Sequence, residues 1–168
     1  KAGLPCAADI RDDAAMSDDG FTSLPGGLRL RKSDPLICAL GGLDELNAAL
    51  GLLRMALAGH PDAELIAAVQ RDLLHIGGEL ATGRPRLEAE ALVQLEAETA
   101  RRKTGRPPPA GFVLPGADER SARAHWARTV CRRAEREFVR AQETHPDRAS
   151  ALALAYLNRL SGLLFALA

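Results

Sequence analysis

Leucine and alanine recur at intervals of three and four residues through most of the chain, which is the spacing of one face of an α-helix. The first series runs from Leu36 to about Ala58 and follows Ser33-Asp34-Pro35, where a capping side chain precedes a first-turn proline. The same spacing predicts four more helices, at about 62–83, 87–103, 118–143 and 147–168. The chain is therefore predicted to be all-α, a five-helix bundle without a β-strand.

Proline and glycine separate the predicted helices and suggest how the chain is organised. Residues 1–33 are rich in Asp, Gly, Ser and Pro, so we expect an N-terminal loop segment there and the bundle at 34–168. The third helix has a thin apolar stripe among many charges, and we expect it to be the most exposed. Residues 105–116 hold too much Pro and Gly for a helix, and a loop of this length often carries function.

Composition supports a helical, intracellular protein. Hydrophobic residues make up 46% of the 168 residues but aromatic residues only 4%, a balance that favours helix packing over sheets. The net charge of zero gives no whole-molecule field for nucleic acid or a membrane, and no apolar run approaches the roughly 20 residues of a membrane span. Three widely spaced cysteines and four histidines show no metal-ligand spacing, so we expect no protein-bound metal and a cytoplasmic location.

The fourth predicted helix carries the strongest chemical signal. Seven arginines occur between positions 120 and 140, and Arg128, Arg132, Arg136 and Arg140 are spaced four apart on one helical face. Arginine holds phosphate oxygens with a planar, permanently charged fork. Taken alone, the pattern fits either a solvated basic face or an anion-binding site.

Polar residues within apolar helices are the second signal. Asp44 lies in the first helix and Asn158 in the fifth, each among leucine and alanine. Such residues either form inter-helix hydrogen bonds that fix register or, together with Arg132, line a polar pocket. Phe112 stands in the Pro/Gly-rich segment, where it would either anchor the loop to the core or present an apolar wall to a flat ligand.

Four stretches, in order, resemble the ATP:cob(I)alamin (corrinoid) adenosyltransferases of the propanediol-utilisation (PduO) type. The resemblance covers about residues 18–168 and is specific because the motifs occur together. The matching stretches are Gly42-Leu43-Asp44-Glu45-Leu46-Asn47-Ala48-Ala49-Leu50-Gly51, Leu73 to Ala81, Phe112 to Gly116 followed by Ala127-Arg128-Thr129-Val130-Cys131-Arg132-Arg133-Ala134-Glu135-Arg136, and Tyr156-Leu157-Asn158-Arg159-Leu160-Ser161.

The resemblance implies a homotrimer of five-helix bundles with active sites between subunits. It implies transfer of the 5′-deoxyadenosyl group from ATP, with Mg²⁺, to the cobalt of reduced cobalamin, with release of triphosphate. Asp44 and Arg128 would form an ion pair across the subunit interface. Arg132 and Asn158 would hold the nucleotide, and Glu135 would lie near its sugar and base. A reductase or a corrinoid-dependent enzyme is the further partner that this function implies.

The resemblance also assigns residues outside the arginine-rich helix. Lys32 matches a basic residue that contacts phosphate, and Phe112 would sit beneath the corrin ring and displace the lower axial ligand. The family's T-R-T-G-D-x-G-x-T loop corresponds to residues 14–22, of which Asp18-Asp19-Gly20 and Thr22 remain, and Asp19, Gly20 and Thr22 are assigned to the nucleotide.

The leading Thr, Arg and Gly of that loop are absent from this sequence, and the Asp that usually follows L-S in the last helix is Gly162. Two alternatives to the adenosyltransferase function stay open. One is a relative that binds a corrinoid or another flat ligand without ATP chemistry. The other is a trimer whose cleft serves a different reaction.

Overall fold

The computed structural model describes residues 19–105 and 111–168, which form five α-helices preceded by a short hairpin. The elements are β1 (Phe21–Ser23), β2 (Arg29–Arg31), α1 (Pro35–Ala56), α2 (Asp62–Thr82), α3 (Ala89–Lys103), α4 (Glu119–Thr144) and α5 (Ala151–Leu167). The predicted five-helix, all-α fold is confirmed for this part of the chain, since each strand has only three residues.

Three helices begin where a side chain caps them. Asp34 accepts a hydrogen bond from the backbone N–H of Leu36 at 2.9 Å, and proline is the first helical residue of α1. Asp118 and Ser150 cap α4 and α5 in the same way, at 2.7 and 3.1 Å. Each cap satisfies a backbone N–H that has no partner within its helix, which fixes where the helix starts. The predicted start of the first helix is confirmed.

The closest helix pair is formed by α1 and α4, whose contact depends on small residues. Gly42 of α1 faces α4, and a Cβ added there would lie 2.1 Å from Oε2 of Glu137 and 3.4 Å from Cα of Ala134. A side chain at position 42 would therefore have to displace the Glu137 carboxylate and would lie in tight contact with the backbone of α4. Leu36, Leu46 and other apolar residues on the inner face of α1 complete the core against this pair.

The position of α3 is peripheral, as its charged sequence predicted. Leu95 is its only buried residue. Polar contacts tie the helix to its neighbours, because Arg102 forms an ion pair with Asp62 of α2 and Arg159 of α5 donates to Glu96 at 2.8 Å. The helix therefore lies along the bundle with most of its surface exposed.

The third helix starts at Ala89, two residues later than predicted, and a buried carboxylate explains the delay. Oε1 of Glu79 accepts the backbone N–H groups of Arg86 and Leu87, at 2.7 and 2.9 Å. Its other oxygen accepts the hydroxyl of Ser150 at 3.1 Å. These bonds satisfy the backbone donors of the connection outside any helix, so the segment from Arg86 stays extended.

The prediction that the chain has no β-strand was wrong. β1 and β2 pair antiparallel, with Thr22 opposite Leu30, and Gly26 and Gly27 turn between them with φ of 89° and 82°. Glycine reaches such positive φ values without steric strain. Strands of three residues are too short to display a two-residue periodicity, so the pattern predicted a loop.

By length and composition, α1 could cross a membrane. It has 22 residues, and its most apolar 18-residue window has a mean hydropathy of 1.5. This corrects the expectation that no apolar segment approaches membrane-spanning length. The buried leucines of α1 belong to the bundle core, which accounts for its apolar character without a bilayer.

Candidate active site

Side chains of α4 and α5 form a polar groove, called here the α4–α5 groove and defined by Arg128, Arg132, Glu135 and Asn158. The three α4 residues are spaced by four and three positions, so they share one helical face. Across the groove, Nδ2 of Asn158 donates to Oε1 of Glu135 at 2.8 Å. The Oδ1 atom of Asn158 accepts from Arg159 at 3.0 Å. Two of the predicted site residues are therefore joined directly.

The arginines of α4 divide into two groups. Three of them form ion pairs with carboxylates: Arg120 with Asp118, Arg123 with Glu119, and Arg133 with Glu45. Within residues 19–105 and 111–168, no carboxylate pairs with Arg128, Arg132, Arg136 or Arg140. Arg136 donates instead to the backbone carbonyl of Arg132 at 2.9 Å. The groove thus contains two guanidinium charges that nothing described in the chain neutralises.

An aromatic cluster lies at one end of the groove, with His125 buried and Phe165 partly exposed. His125, 4% exposed, packs edge-on against Phe165, with ring centroids 6.0 Å apart. The guanidinium of Arg128 lies 5.8 Å from the centre of the same Phe165 ring. Burial, assisted by the positive charge of Arg128, lowers the pKa of His125, so its ring is neutral at physiological pH. Arg128 is therefore held by a cation–π contact with Phe165, and no described carboxylate forms an ion pair with it.

Several polar atoms of this cluster have no hydrogen-bond partner within the described chain. They are both ring nitrogens of His125 and Nε of Arg128. Buried polar groups are normally satisfied, and leaving one unpaired costs about 1–3 kcal/mol. The described residues therefore leave three buried polar atoms at this end of the groove available to a further partner.

Asp44 is exposed on α1 and forms no ion pair or hydrogen bond with any described residue. Its neighbour Glu45 pairs with Arg133 instead. A pocket in which Asp44, Arg132 and Asn158 converge is therefore not assembled within one chain. The ion pair of Asp44 with Arg128 stays a prediction about two subunits.

The hairpin brings together the other predicted nucleotide residues. The backbone N–H of Lys32 donates to the carbonyl of Gly20 at 2.8 Å. Thr22 is the middle residue of β1, two positions after Gly20. Asp19 accepts the backbone N–H of Phe21 at 3.0 Å and forms an ion pair with a β2 arginine. The rest of the loop aligned with the family pattern, residues 14–18, lies outside the described residues.

Phe112 is fully exposed on the segment that leads to α4. Its neighbours Val113 and Leu114 are exposed as well, the latter by 90%. The interpretation of Phe112 as an anchor that holds the loop on the core was therefore wrong. The ring is available to contact a ligand or another chain.

The groove contains no activated nucleophile of its own. Cys131, at the back of α4, is buried and donates to the carbonyl of Leu157 at 3.3 Å. Burial raises the pKa of its thiol to about 12, which leaves the thiolate unpopulated at neutral pH. The groove is suited to binding anions and positioning groups rather than to covalent catalysis by the protein.

Sequence analysis did not single out His125 or Phe165. Phe165 follows Asn158 by seven residues, two helical turns, so helical periodicity alone places both on one face of α5. His125 precedes Arg128 by three residues on α4. These spacings were the available signal, and the burial of His125 could not be read from them.

The sequence matches the family described as Cobalamin adenosyltransferase over residues 14–168. Among curated proteins, a Corrinoid adenosyltransferase of Mycobacterium tuberculosis (strain ATCC 25618 / H37Rv) is 41% identical over 162 residues. The aligned region covers 89% of this chain and 82% of that protein.

Two solved structures from Lactobacillus reuteri have the same fold. One is an arginine-to-lysine variant of a PduO-type adenosyltransferase complexed with ATP, with a TM-score of 0.79 and 30% identity over 89% of this chain and 87% of that chain. The other is a phenylalanine-to-alanine variant complexed with cobalamin and ATP, with a TM-score of 0.76 and 29% identity over 89% and 86% of the two chains.

Proposed function

Because this chain belongs to the cobalamin adenosyltransferase family, we propose that it transfers the 5′-deoxyadenosyl group of ATP to the cobalt of cob(I)alamin and releases triphosphate. The family match extends from residue 14 to residue 168. The related structures from Lactobacillus reuteri are complexed with ATP and, in one case, with cobalamin as well. Both ligands are substrates of the proposed reaction.

The observation that carries the proposal is the α4–α5 groove. Arg132 offers an unpaired guanidinium, which can hold phosphate oxygens in two parallel hydrogen bonds. One turn away, Glu135 is held by Asn158, which fixes a carboxylate and an amide where a ribose or a base could bond to them. We propose that Arg132 binds the triphosphate and that Glu135 and Asn158 bind the nucleoside.

The proposed reaction needs positioning more than acid–base catalysis. Cobalt in the Co(I) state attacks C5′ of the ribose with an electron pair, a Co–C bond forms, and the C5′–O bond breaks. Its electron pair leaves on the triphosphate, so negative charge grows on that oxygen. An arginine fixed beside the leaving group stabilises this charge more in the transition state than in the ground state. Arg132 is the residue proposed for this role.

Phe112 is proposed to form the apolar wall beneath the corrin. Its complete exposure supports this role, because the ring is free to pack against a flat ligand. Cob(II)alamin is hard to reduce while a lower ligand donates electrons to cobalt. An apolar ring in that position would exclude both the ligand and water, and reduction to Co(I) would become easier.

The Mg²⁺ ion expected with ATP would be coordinated mainly by the phosphates rather than by protein side chains. No three His, Cys, Asp or Glu side chains cluster as a metal site in the described parts of the chain. Mg²⁺ is commonly bound through one or two carboxylates together with substrate phosphates. We propose that Mg²⁺ arrives on the triphosphate and neutralises part of its charge there.

We propose that the active unit is a homotrimer with its sites between subunits. The unsatisfied Nε of Arg128 and the unpaired carboxylate of Asp44 support this arrangement, since each lacks a partner in the described chain. An Asp44–Arg128 pair across the interface would satisfy both. The hairpin residues Asp19, Gly20, Thr22 and Lys32 would then close over the nucleotide.

One feature favours the alternative of a corrinoid-binding relative without ATP chemistry. The segment aligned with the family's phosphate loop lacks its leading Thr, Arg and Gly. Two observations weigh against it: the groove residues keep the family's motif, and β2 adds the exposed cations Arg29 and Arg31 beside Lys32. A working enzyme is therefore the better-supported proposal.

The test is to record visible spectra of the protein with cob(II)alamin, with and without MgATP, before and after adding a reductant. We expect a four-coordinate cob(II)alamin signature that requires MgATP, followed by adenosylcobalamin. A corrinoid shift that is indifferent to ATP would support the binding-only relative. No response to either substrate would favour the repurposed trimer.

Phe112→Ala tests the proposed wall in the same assay. We expect this variant to lose most turnover from cob(II)alamin but to keep turnover from chemically reduced cob(I)alamin, because the wall matters only before reduction. Leu114→Ala, which removes another exposed apolar side chain of the same segment, is the matched control and should behave as the parent protein. Equal losses with both cobalt states would refute the role given to Phe112.

A cytoplasmic location and a partner that supplies electrons are further parts of the proposal. Cys38 and Cys131 are free thiols, as expected in a reducing compartment. The reaction consumes cob(I)alamin, so a reductase must generate it close to the protein. A corrinoid-dependent enzyme would receive the product.

A further inference from the structure

A cleft between α3 and α5 lies beside the proposed nucleotide site. It is an open, shallow cleft of about 420 Å³, lined by Thr99 and Lys103 of α3 and by Asn158, Ser161 and Gly162 of α5, among others. No role for the α3 side of this cleft follows from the motifs or from the proposed reaction. Its volume suits part of a substrate rather than a water molecule alone.

The two hydroxyls in the cleft can only accept hydrogen bonds from a ligand. Oγ1 of Thr99 donates to the carbonyl of Leu95 at 2.8 Å, and Oγ of Ser161 donates to the carbonyl of Asn158 at 2.8 Å. A hydroxyl has one proton, so both protons are committed to the helix backbone. The oxygens of Thr99 and Ser161 keep free lone pairs, so a ligand group that bonds to them must donate a hydrogen.

Lys103 offers the opposite chemistry. Its ammonium carries three donors and no acceptor, and no described carboxylate pairs with it. The acidic residue of the cleft, Glu96, already pairs with Arg159 at 2.8 Å. Asn158 uses one N–H on Glu135 and one lone pair on Arg159, and the remaining N–H and lone pair are the ones proposed above for the nucleoside. A ligand therefore meets free acceptors on the hydroxyls and free donors on Lys103.

A primary carboxamide matches this combination. Its NH₂ donates to the hydroxyl oxygens and its carbonyl accepts from the ammonium. A carboxylate or phosphate would satisfy Lys103 but could not donate to Thr99 or Ser161, and an ammonium group would be repelled by Lys103. Corrinoids carry primary carboxamides around the rim of the macrocycle. The adenine of ATP also presents an NH₂ beside a ring-nitrogen acceptor, so the experiment below varies the two substrates separately to tell these sources apart.

The position of the cleft fits a corrin rim. The cleft and the α4–α5 groove share Asn158, which lines the cleft and bonds to Glu135, so the two adjoin. Lys103, on the other side of the cleft, is the last residue of α3 and precedes in sequence the segment that carries Phe112. The cleft is therefore next to a residue proposed for the nucleotide, and one of its lining residues is close in sequence to the segment proposed for the corrin.

We propose that the α3–α5 cleft binds a rim carboxamide of the corrinoid, with Thr99, Ser161 and Lys103 as specificity-determining residues. The inference rests on the proposed function, because it assumes that a corrinoid is a substrate. It adds a subsite that selects amidated corrinoids over those with carboxylates on the rim.

The test measures adenosylcobalamin formation by Thr99→Val and Lys103→Met with cobalamin and ATP varied separately. We expect each variant to raise KM for cobalamin by about three- to tenfold, the effect of one lost hydrogen bond, and to leave KM for ATP unchanged. Thr104→Val is the matched control for threonine, because Thr104 makes the same backbone bond outside the cleft, at 3.1 Å. Arg71→Met, at an exposed position of α2, controls for charge.

A second arm uses cobalamins in which one rim amide has been hydrolysed to a carboxylate. We expect the parent protein to discriminate against one isomer, and Thr99→Val to lose that discrimination. A rise in KM for Lys103→Met alone would indicate an anionic ligand and overturn the carboxamide assignment. A rise in KM for ATP, or unchanged kinetics in both variants, would overturn it too.

The outcome is separable from that of the proposed function. If the parent protein forms no adenosylcobalamin, the proposed function fails, and the cleft is tested by spectral titration with cob(II)alamin alone. Weaker binding by Thr99→Val and Lys103→Met, but not by Thr104→Val, would then still support the subsite. Unchanged binding of cob(II)alamin by both variants would refute the proposed subsite.

Discussion

The α4–α5 groove and the N-terminal hairpin carry the two parts of the proposed nucleotide site, and they are held in place very differently. The groove residues project from helices whose opposite faces are buried, with Ala127, Cys131 and Ala134 fully inside the core. The hairpin has two strands of three residues, and its leucines are only half-buried. The proposed nucleotide site thus combines residues on firmly packed helices with residues on a lightly supported hairpin.

This difference in support bears on which site residues keep their positions when the surrounding sequence changes. A residue on a packed helix keeps its place because the core fixes the helix. A residue on the hairpin keeps its place through a few local bonds, such as that from Lys32 to Gly20. It is consistent with this contrast that the groove keeps the family's motif while the segment before the hairpin departs from it.

The groove side should show the largest effect. Arg132→Ala removes the guanidinium proposed for the triphosphate, and we expect kcat/KM to fall by about 100-fold or more. The melting temperature should be unchanged, since the side chain is exposed and unpaired. Arg140→Ala, which removes an equally unpaired arginine two turns away, is the control. Turnover of Arg132→Ala equal to that of the parent would remove the assignment.

The hairpin side should show a smaller effect. For Lys32→Ala we expect KM for ATP to rise by about tenfold, as for one charge-assisted hydrogen bond, with a lesser change in kcat. Arg84→Ala, an exposed arginine in the connection between α2 and α3, is the control. If Lys32→Ala lowered kcat/KM as much as Arg132→Ala does, the hairpin would position the ligand as firmly as the groove. The contrast between the hairpin and the groove would then be wrong.

The smallest effect concerns stability and pH. The pKa of His125 is lowered by burial, so the unfolded chain binds this proton more readily than the folded one. The stability it contributes is complete above its ordinary pKa of 6.5 and is lost as pH falls below that value. One such group changes the free energy of unfolding by at most about 1.4 kcal/mol per pH unit.

His125→Phe should flatten this dependence below about pH 6.5, measured by denaturant unfolding at each pH. His75→Phe, at an exposed position on α2, is the control and should leave the dependence unchanged. An unaltered pH profile in His125→Phe would show that the ring is protonated equally in both states. The buried end of the groove would then be less closed than its packing indicates.

The sequence was sufficient for the helices because periodicity and capping are local. The start of α1 follows from Asp34 and Pro35, and the exposure of α3 follows from its charges. The hairpin was missed because an alternation over three residues is too short to distinguish a strand from a loop. The turn at Pro25-Gly26-Gly27 and the alternation of Arg29, Leu30 and Arg31 were its only local signs.

Contacts within the site depend on three-dimensional partners that linear spacing does not reveal. Spacing could not show that Glu45 would pair with Arg133 while Asp44 stays unpaired. Nor could it show that Glu135 bonds to Asn158, 23 residues away. Only the resemblance grouped these residues, and their roles in binding stay predictions.

The peripheral position of α3 has a consequence for how this protein can evolve. At Gly42, where α1 faces α4, an added side chain would displace the Glu137 carboxylate and press on the backbone of α4, so this contact leaves little room for substitution. With Leu95 as its single buried residue, α3 can accept substitutions on almost its whole surface at little cost in core packing. New ligand preferences would therefore arise most readily through substitutions on α3, while the packing of α1 against α4 maintains the fold.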